Sequence, residues 1–216
     1  MLPHNIVAGI LLLYLLAFFL VNAHNVLWVH RGRRSRKLYA EVARPSGPLM
    51  ALAAFGTMIF FVEYLLFVCL GFIGFRQIPF ILQPTLRFPN DSYVQSLGIL
   101  SMGSGCFFFL WSVVARGRYS VSWAMREDHR LVTWGPYSYV RHPSYLGYFL
   151  MFVGLLLTWL NPVALIPLAA IPGYVKVAST EEELLIARFG EKYLVYQRVV
   201  GRFFPRWTRK RGIETE

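Results

Sequence analysis

The sequence predicts an all-α integral membrane protein: about five transmembrane helices, a tight C-terminal helical hairpin and a cytoplasmic amphipathic helix. Three observations predict it. Of the 216 residues 56% are hydrophobic and only 15% charged, with a mean hydropathy of +0.47, whereas soluble domains carry about 25% charged residues. The apolar residues gather in segments approaching or exceeding the roughly 20 needed to cross a hydrocarbon core. The Lys and Arg residues gather in alternate loops between those segments, as they do in short cytoplasmic loops.

The segments run Ile6 to Val29, Pro48 to Phe75, Tyr93 to Ala115, Ser144 to Leu160 and Val163 to Val177. The first is too long, and its arginine-rich flank on the wrong side, for a cleaved signal peptide. The second follows Arg44-Pro45-Ser46-Gly47-Pro48, a run that stops one element and starts the next. The last two are short and separated only by Asn161-Pro162, a turn signal with no room for a loop, so a tight hairpin is expected. Arg31, Arg33, Arg34, Arg36, Lys37 and Arg44 lie between the first two spans, and Arg116, Arg118, Arg126, Arg130 and Arg141 between the third and fourth. The loop from Arg76 to Ser92 holds only Arg76 and Arg87. An outside N-terminus, with residues 116–143 and the C-terminal tail in the cytosol, satisfies every loop.

The net charge of +11 follows the cytoplasmic loop ends and forms no separate basic domain, so contact with anionic lipid is expected and nucleic acid is not. Cys69 and Cys106 sit inside spans as small core residues, without disulfide or metal-ligand spacing.

Two places carry chemistry. In Arg141-His142-Pro143, proline pushes His142 out of the α region and suits the first turn of a helix, so the fourth span begins at Pro143 or Ser144. His142 then stands at a positive helix end that attracts anions, beside Arg141 and among Tyr137, Tyr139, Tyr145 and Tyr148. An aromatic belt with an interfacial arginine explains the same residues equally simply. After the fifth span, Ser179-x-x-Glu182 and Thr180-x-x-Glu183 both match a capping box, and Leu185, Phe189, Tyr193, Tyr196 and Val200 recur at helical spacing. This predicts a new amphipathic helix from Glu181 to about Arg198. Its carboxylates either complement the helix dipole or, for Glu181 and Glu182, face a cavity at the membrane edge. Glu63, inside the second span, is a functional candidate or a packing device.

The runs His129-Arg-Leu-Val-Thr-Trp-Gly-Pro-Tyr137, Arg141-His-Pro-Ser-Tyr-Leu-Gly147, Asn161-Pro162, Glu181-Glu-Glu-Leu-Leu-Ile-Ala-Arg-Phe-Gly-Glu-Lys-Tyr193 and Gly201-Arg-Phe-Phe-Pro205 closely resemble the isoprenylcysteine carboxyl methyltransferase family, over roughly the C-terminal half. The resemblance implies a membrane methyltransferase that uses S-adenosyl-L-methionine and a lipid or lipidated acceptor entering from the bilayer. Its membrane would be the cytoplasmic one in a prokaryote or the endoplasmic reticulum in a eukaryote. It divides a single domain into residues 1–115, three membrane helices, and 116–216, the cofactor-binding and catalytic half. It implies a cofactor pocket of His129, Leu131, Val132, Tyr137, His142, Pro143, Tyr145, Glu181 and Glu182. On this reading His142 binds the methionyl carboxylate, tyrosine faces attract the sulfonium, and Glu181 or Glu182 accepts from the amine or the ribose. A carboxylate acceptor is already nucleophilic, so positioning and exclusion of water suffice without a general base.

One position departs from the family. An arginine expected four residues before Glu181 is Val177 here, and neighbouring Lys176 points about 100° away around a helix. Lys176 or Arg202 therefore becomes the candidate partner of an acceptor carboxylate, and Glu63 the remaining candidate for a catalytic role. A phospholipid amine or small thiol is the alternative acceptor. A sterol-type NADPH reductase and a non-catalytic scaffold are the rival classes.

Overall fold

A computed structural model describes residues 1–29, 38–41, 47–74, 79, 82–84, 86–117, 124–126 and 130–206. Six α-helices appear among them: α1 (His4–His24), α2 (Pro48–Ile73), α3 (Asp91–Arg116), α4 (Pro143–Trp159), α5 (Ile171–Phe189) and α6 (Glu191–Val199). Four helical stretches are long and apolar enough to cross a membrane: His4–Leu27, Pro48–Ile73, Asp91–Arg116 and Pro162–Phe189. The apolar α4, 17 residues long, packs among them. The chain is thus an integral membrane protein, and Leu13, Leu20, Leu100 and Val114, all strongly exposed, form part of its apolar outer surface.

The helices form where their caps and breakers allow. Pro48 opens α2 and Pro143 opens α4, each at a first-turn position where the missing N–H costs nothing. Leu160, in the left-handed region at φ 54°, ends α4. Asn161 then caps the next element, its side chain accepting from the Val163 N–H at 2.8 Å. The expected tight hairpin is present, but its return arm starts as a 3₁₀ helix over Pro162–Ala170. Pro162 and Pro167 lack N–H donors and Pro172 follows, so a regular α-helix is established only from Ile171.

The expected helix start at Glu181 is corrected. The helix α5 runs unbroken through that position to Phe189. The Ser179 and Thr180 hydroxyls donate back to the carbonyls of Val175 and Lys176, within the helix, instead of capping a new one. The break comes at Gly190, with φ 54°, which separates α5 from α6.

Helices α3 and α4 form the most extensive seam. A Cβ at Gly105 would lie 2.6 Å from the Gly147 carbonyl oxygen, and one at Gly147 2.7 Å from that of Gly105. Small residues at both positions let the backbones touch, as membrane helices use them. The core around this seam holds Phe60, Phe67, Phe109, Phe152 and Trp159.

Three sets of contacts agree with the sidedness expected from the charges. The N-terminal ammonium pairs with Asp91 at 2.7 Å, joining the starts of α1 and α3. Leu82 and Gln83, between α2 and α3, accept from Trp159 and Asn161 at the hairpin turn. At the opposite end, a short antiparallel ladder that sequence patterning did not predict pairs Leu38–Glu41 (β1) with Ala124–Arg126 (β2). It joins the two arginine-rich loops at one end of the helices.

Candidate active site

The site forms where the start of α4, the middle of α5 and the chain after α6 meet. Extended backbone from Val200 to Arg202 lies along Val140–His142: the Arg141 N–H donates to the Gly201 carbonyl at 2.8 Å, and the His142 N–H to that of Arg202 at 3.0 Å. A Cβ at Gly201 would run into the Phe204 carbonyl oxygen of the turn that follows, so this position demands glycine.

Glu182, 3% exposed, is the centre of the crossing. Its Oε1 accepts from Arg141 Nε at 2.9 Å, lies 3.0 Å from His142 Nε2 and accepts from Arg202 Nε at 3.3 Å. Its Oε2 accepts from an Arg202 terminal nitrogen at 2.6 Å and from Gln197 Nε2 at 3.1 Å. Arg141 also donates to the carbonyls of Gln197 and Val200, closing the end of α6. A buried carboxylate requires such compensation, and here its lone pairs are fully used. Three cationic or potentially cationic side chains from two segments are thereby tied to α5.

His142 lies between two carboxylates, Nε2 on Glu182 and Nδ1 3.6 Å from Glu181. Burial alone would push its imidazole down; the two carboxylates outweigh that and raise it above the usual 6.5. Its ring stacks on Tyr145, centroids 5.5 Å apart and planes 4° apart. Tyr145 in turn donates its hydroxyl to Glu181 Oε1 at 2.7 Å.

A cleft of about 580 Å³, its open mouth included, adjoins this network. Its apolar and aromatic lining includes Leu131, Val132, Leu185, Tyr193 and Tyr196. Its polar and charged lining is Arg116, Tyr137, Arg141, His142, Ser144 and Glu181. The Tyr196 hydroxyl donates to the Tyr137 carbonyl at 2.5 Å, fixing α6 over the motif loop. Beside the cleft an apolar groove of about 750 Å³, its opening included, runs between α2, from Met50 to Phe61, and Tyr145, Tyr174 and Val177. Tyr145 links the two spaces: it lines the groove and bonds to Glu181 of the cleft.

Of the residues expected in the pocket, Leu131, Val132, Tyr137, His142 and Glu181 line the cleft. Pro143 begins α4 behind it, and Tyr145 stands at the junction with the groove. Glu182 is brought to the same place but buried inside the ion network, and His129 lies outside the described residues. Among the three residues considered for catalysis, Arg202 is engaged by Glu182 and by Ser179 Oγ at 3.2 Å, and Lys176 is exposed and lines neither space. Glu63 is 4% exposed on α2, its carboxyl oxygens without hydrogen-bond partners, and also lines neither space. Arg116, Ser144, Leu185, Tyr193 and Tyr196 enter the lining without having been singled out for it. Only the helical spacing of Leu185, Tyr193 and Tyr196 hinted at a shared face.

A Protein-S-isoprenylcysteine O-methyltransferase of Tribolium castaneum is 38% identical over 81 residues, 37% of this chain and 29% of the relative. One of Dictyostelium discoideum is 38% identical over 82 residues, 37% of this chain and 35% of the relative. One of Homo sapiens is 37% identical over 81 residues, 37% of this chain and 28% of the relative. The matched segment thus spans about a third of the length of these relatives. A solved structure of the eukaryotic intramembrane Ras methyltransferase ICMT aligns at 25% identity with a TM-score of 0.47, covering 76% of this chain and 54% of that one. Residues 99–187, from the glycine seam of α3 to the carboxylates of α5, match the sequence model of the isoprenylcysteine carboxyl methyltransferase (ICMT) family.

Proposed function

We infer that this protein methylates a lipid-borne acceptor, using S-adenosyl-L-methionine, and that the acceptor group is the carboxylate of a prenylated cysteine. The observation that carries the reading is that Tyr145, which lines the apolar groove, bonds to Glu181, which lines the neighbouring cleft among charged side chains. A reaction between a water-soluble donor and a lipid-anchored acceptor requires such a junction. The names of the relatives support the choice of acceptor.

The residues lining the cleft fit the donor. S-Adenosyl-L-methionine supplies an electrophilic methyl group on a sulfonium. The Glu181 carboxylate accepts from an amine or ribose hydroxyls; its side chain is 26% exposed and reachable from the cleft. Leu131, Val132 and Leu185 offer apolar surface for a base, and the Tyr137 ring offers an aromatic face for a cation. Ser144 stands in the first turn of α4, whose free N–H groups attract a carboxylate. His142, expected to hold that carboxylate, instead faces Glu181 and Glu182 and orients them. Glu182, expected as a cofactor ligand, holds the walls together. The chain's own contribution is to hold two reactants in line and keep water out, since a carboxylate acceptor requires no proton transfer. The cytosol is the proposed side of the cleft, which lies beside the arginine-rich loops.

The test is transfer of a labelled methyl group from S-adenosyl-L-methionine to S-farnesylcysteine in detergent, with calorimetry of donor binding. Glu181→Gln should weaken donor binding by about 10-fold, the value of a charged hydrogen bond. Absence of transfer by the unmodified protein refutes the acceptor, and absence of donor binding refutes the reaction class.

A further inference from the structure

Arg116 is the last residue of α3 and lines the cleft. Its Nε is shut off from solvent and has no hydrogen-bond partner. Among the described residues no ion pair holds its guanidinium. The titratable groups that act on it are Tyr137, Glu181, Tyr145 and Tyr148, and Glu181 already accepts from the Tyr145 hydroxyl. Arg116 as a whole is half-buried, but a guanidinium N–H shut off from water without an acceptor is costly, and a planar carboxylate is the ligand its fork of donors matches.

The surroundings decide which carboxylate. Leu131, Leu185, Tyr193 and Tyr196 of the cleft pack together in one apolar and aromatic cluster. Arg116 belongs to the polar part of the lining, and its field reaches Tyr137, Glu181, Tyr145 and Tyr148. The last two pack on Tyr174, with centroids 5.0 and 5.4 Å from its ring, and Tyr145 and Tyr174 line the apolar groove. A lipid chain lying in the groove would therefore present its polar end beside Tyr145, within the field of Arg116. The two other basic candidates are unsuited: Arg202 is committed to Glu182, and Lys176 lies outside both spaces.

We propose that Arg116 is the residue that binds the acceptor's carboxylate, from the end of α3, at the junction of cleft and groove. This rests on the proposed methyl transfer to a lipid-borne acceptor and names the group that recognises it. It also accounts for the tolerance of valine at position 177, which lines the groove beside Tyr145 and is buried: a second cation there is unnecessary.

The experiment measures turnover of S-farnesylcysteine, binding of S-adenosyl-L-methionine, and binding of S-farnesylcysteine against its carboxamide, in the unmodified protein, Arg116→Met, Arg116→Lys and the double variant Arg116→Met/Val177→Arg. Arg116→Met should lower kcat/KM by about 10- to 100-fold, the range for a charged hydrogen bond. Donor affinity should stay within about 3-fold, the scatter of near-neutral substitutions. The preference for acid over amide, present in the unmodified protein, should vanish in Arg116→Met, persist in part in Arg116→Lys, and return in the double variant. That recovery distinguishes acceptor recognition from damage to the fold. Retained acid preference in Arg116→Met, or loss of donor binding with turnover, overturns the assignment. If the unmodified protein transfers no methyl group, the activity is refuted separately, and the acid-against-amide comparison still decides the role of Arg116. Equal binding of both forms, or binding of neither, by the unmodified protein overturns it.

Discussion

Replacing Glu182 by Gln keeps the shape of the side chain and removes the one charge that the crossing is built around. Arg141 and Glu182 pair at 2.9 Å with side-chain exposures of 7% and 4%, so the arginine would be left inside without its counter-ion. Breaking a buried pair from one side costs about 3–5 kcal/mol. Arg202 has a side-chain exposure of 35%, so its bond to Glu182 is screened by solvent and worth at most about 1 kcal/mol. The two substitutions should therefore separate clearly: Glu182→Gln loses about 3–5 kcal/mol, and Arg202→Met about 1 kcal/mol or less. Equilibrium unfolding in mixed micelles, followed by tryptophan fluorescence and circular dichroism, reads both. Arg141→Met should resemble Glu182→Gln, and the double change should cost much less than the sum, because the two share one interaction. Equal, small losses for Glu182→Gln and Arg202→Met would refute the view that Glu182 is the structural centre and return it to the cofactor pocket.

Val177→Trp should fill the groove beside Tyr145, lowering acceptor turnover at least about 10-fold while calorimetry finds donor binding unchanged; equal loss of both would mean the groove is not the acceptor's path. His142 titrates above 6.5 because the carboxylates of Glu181 and Glu182 outweigh its burial. A raised group gives its full stabilisation below its unfolded value and loses it as the pH climbs through the folded one. Stability should thus fall as pH is raised above about 6.5, and His142→Gln should flatten that part of the unfolding profile. A cysteine introduced at Ser138, with Cys69 and Cys106 replaced, should react with a membrane-impermeant maleimide only from the cytosolic face; labelling from the outer face alone would invert the proposed orientation.

By itself the sequence determined the membrane class, the places of the apolar helices and the start of α4, while the count of five crossings goes beyond the four stretches long enough to span. The features it determined are one-dimensional: hydropathy sums along a span, and Pro143 imposes a local backbone choice on His142. Residue patterns also brought Tyr137, His142, Tyr145 and Glu181 to one place. The tertiary structure alone decided which of two adjacent glutamates faces the cleft. Glu181 and Glu182 share a helix about 100° apart, and nothing in their order says that the chain after α6 would return with Arg202 to cover one and leave the other beside the cleft. Local signals misplaced the helix start at Ser179 and Thr180 because a capping box and an i−4 hydroxyl bond use the same residues, and continuity with the preceding turns favoured the second. The reading of Arg116 changed for the same reason. Along the chain it is one basic residue at the end of a span, and only the packing of α3 against α4 turns it toward the tyrosines of the site.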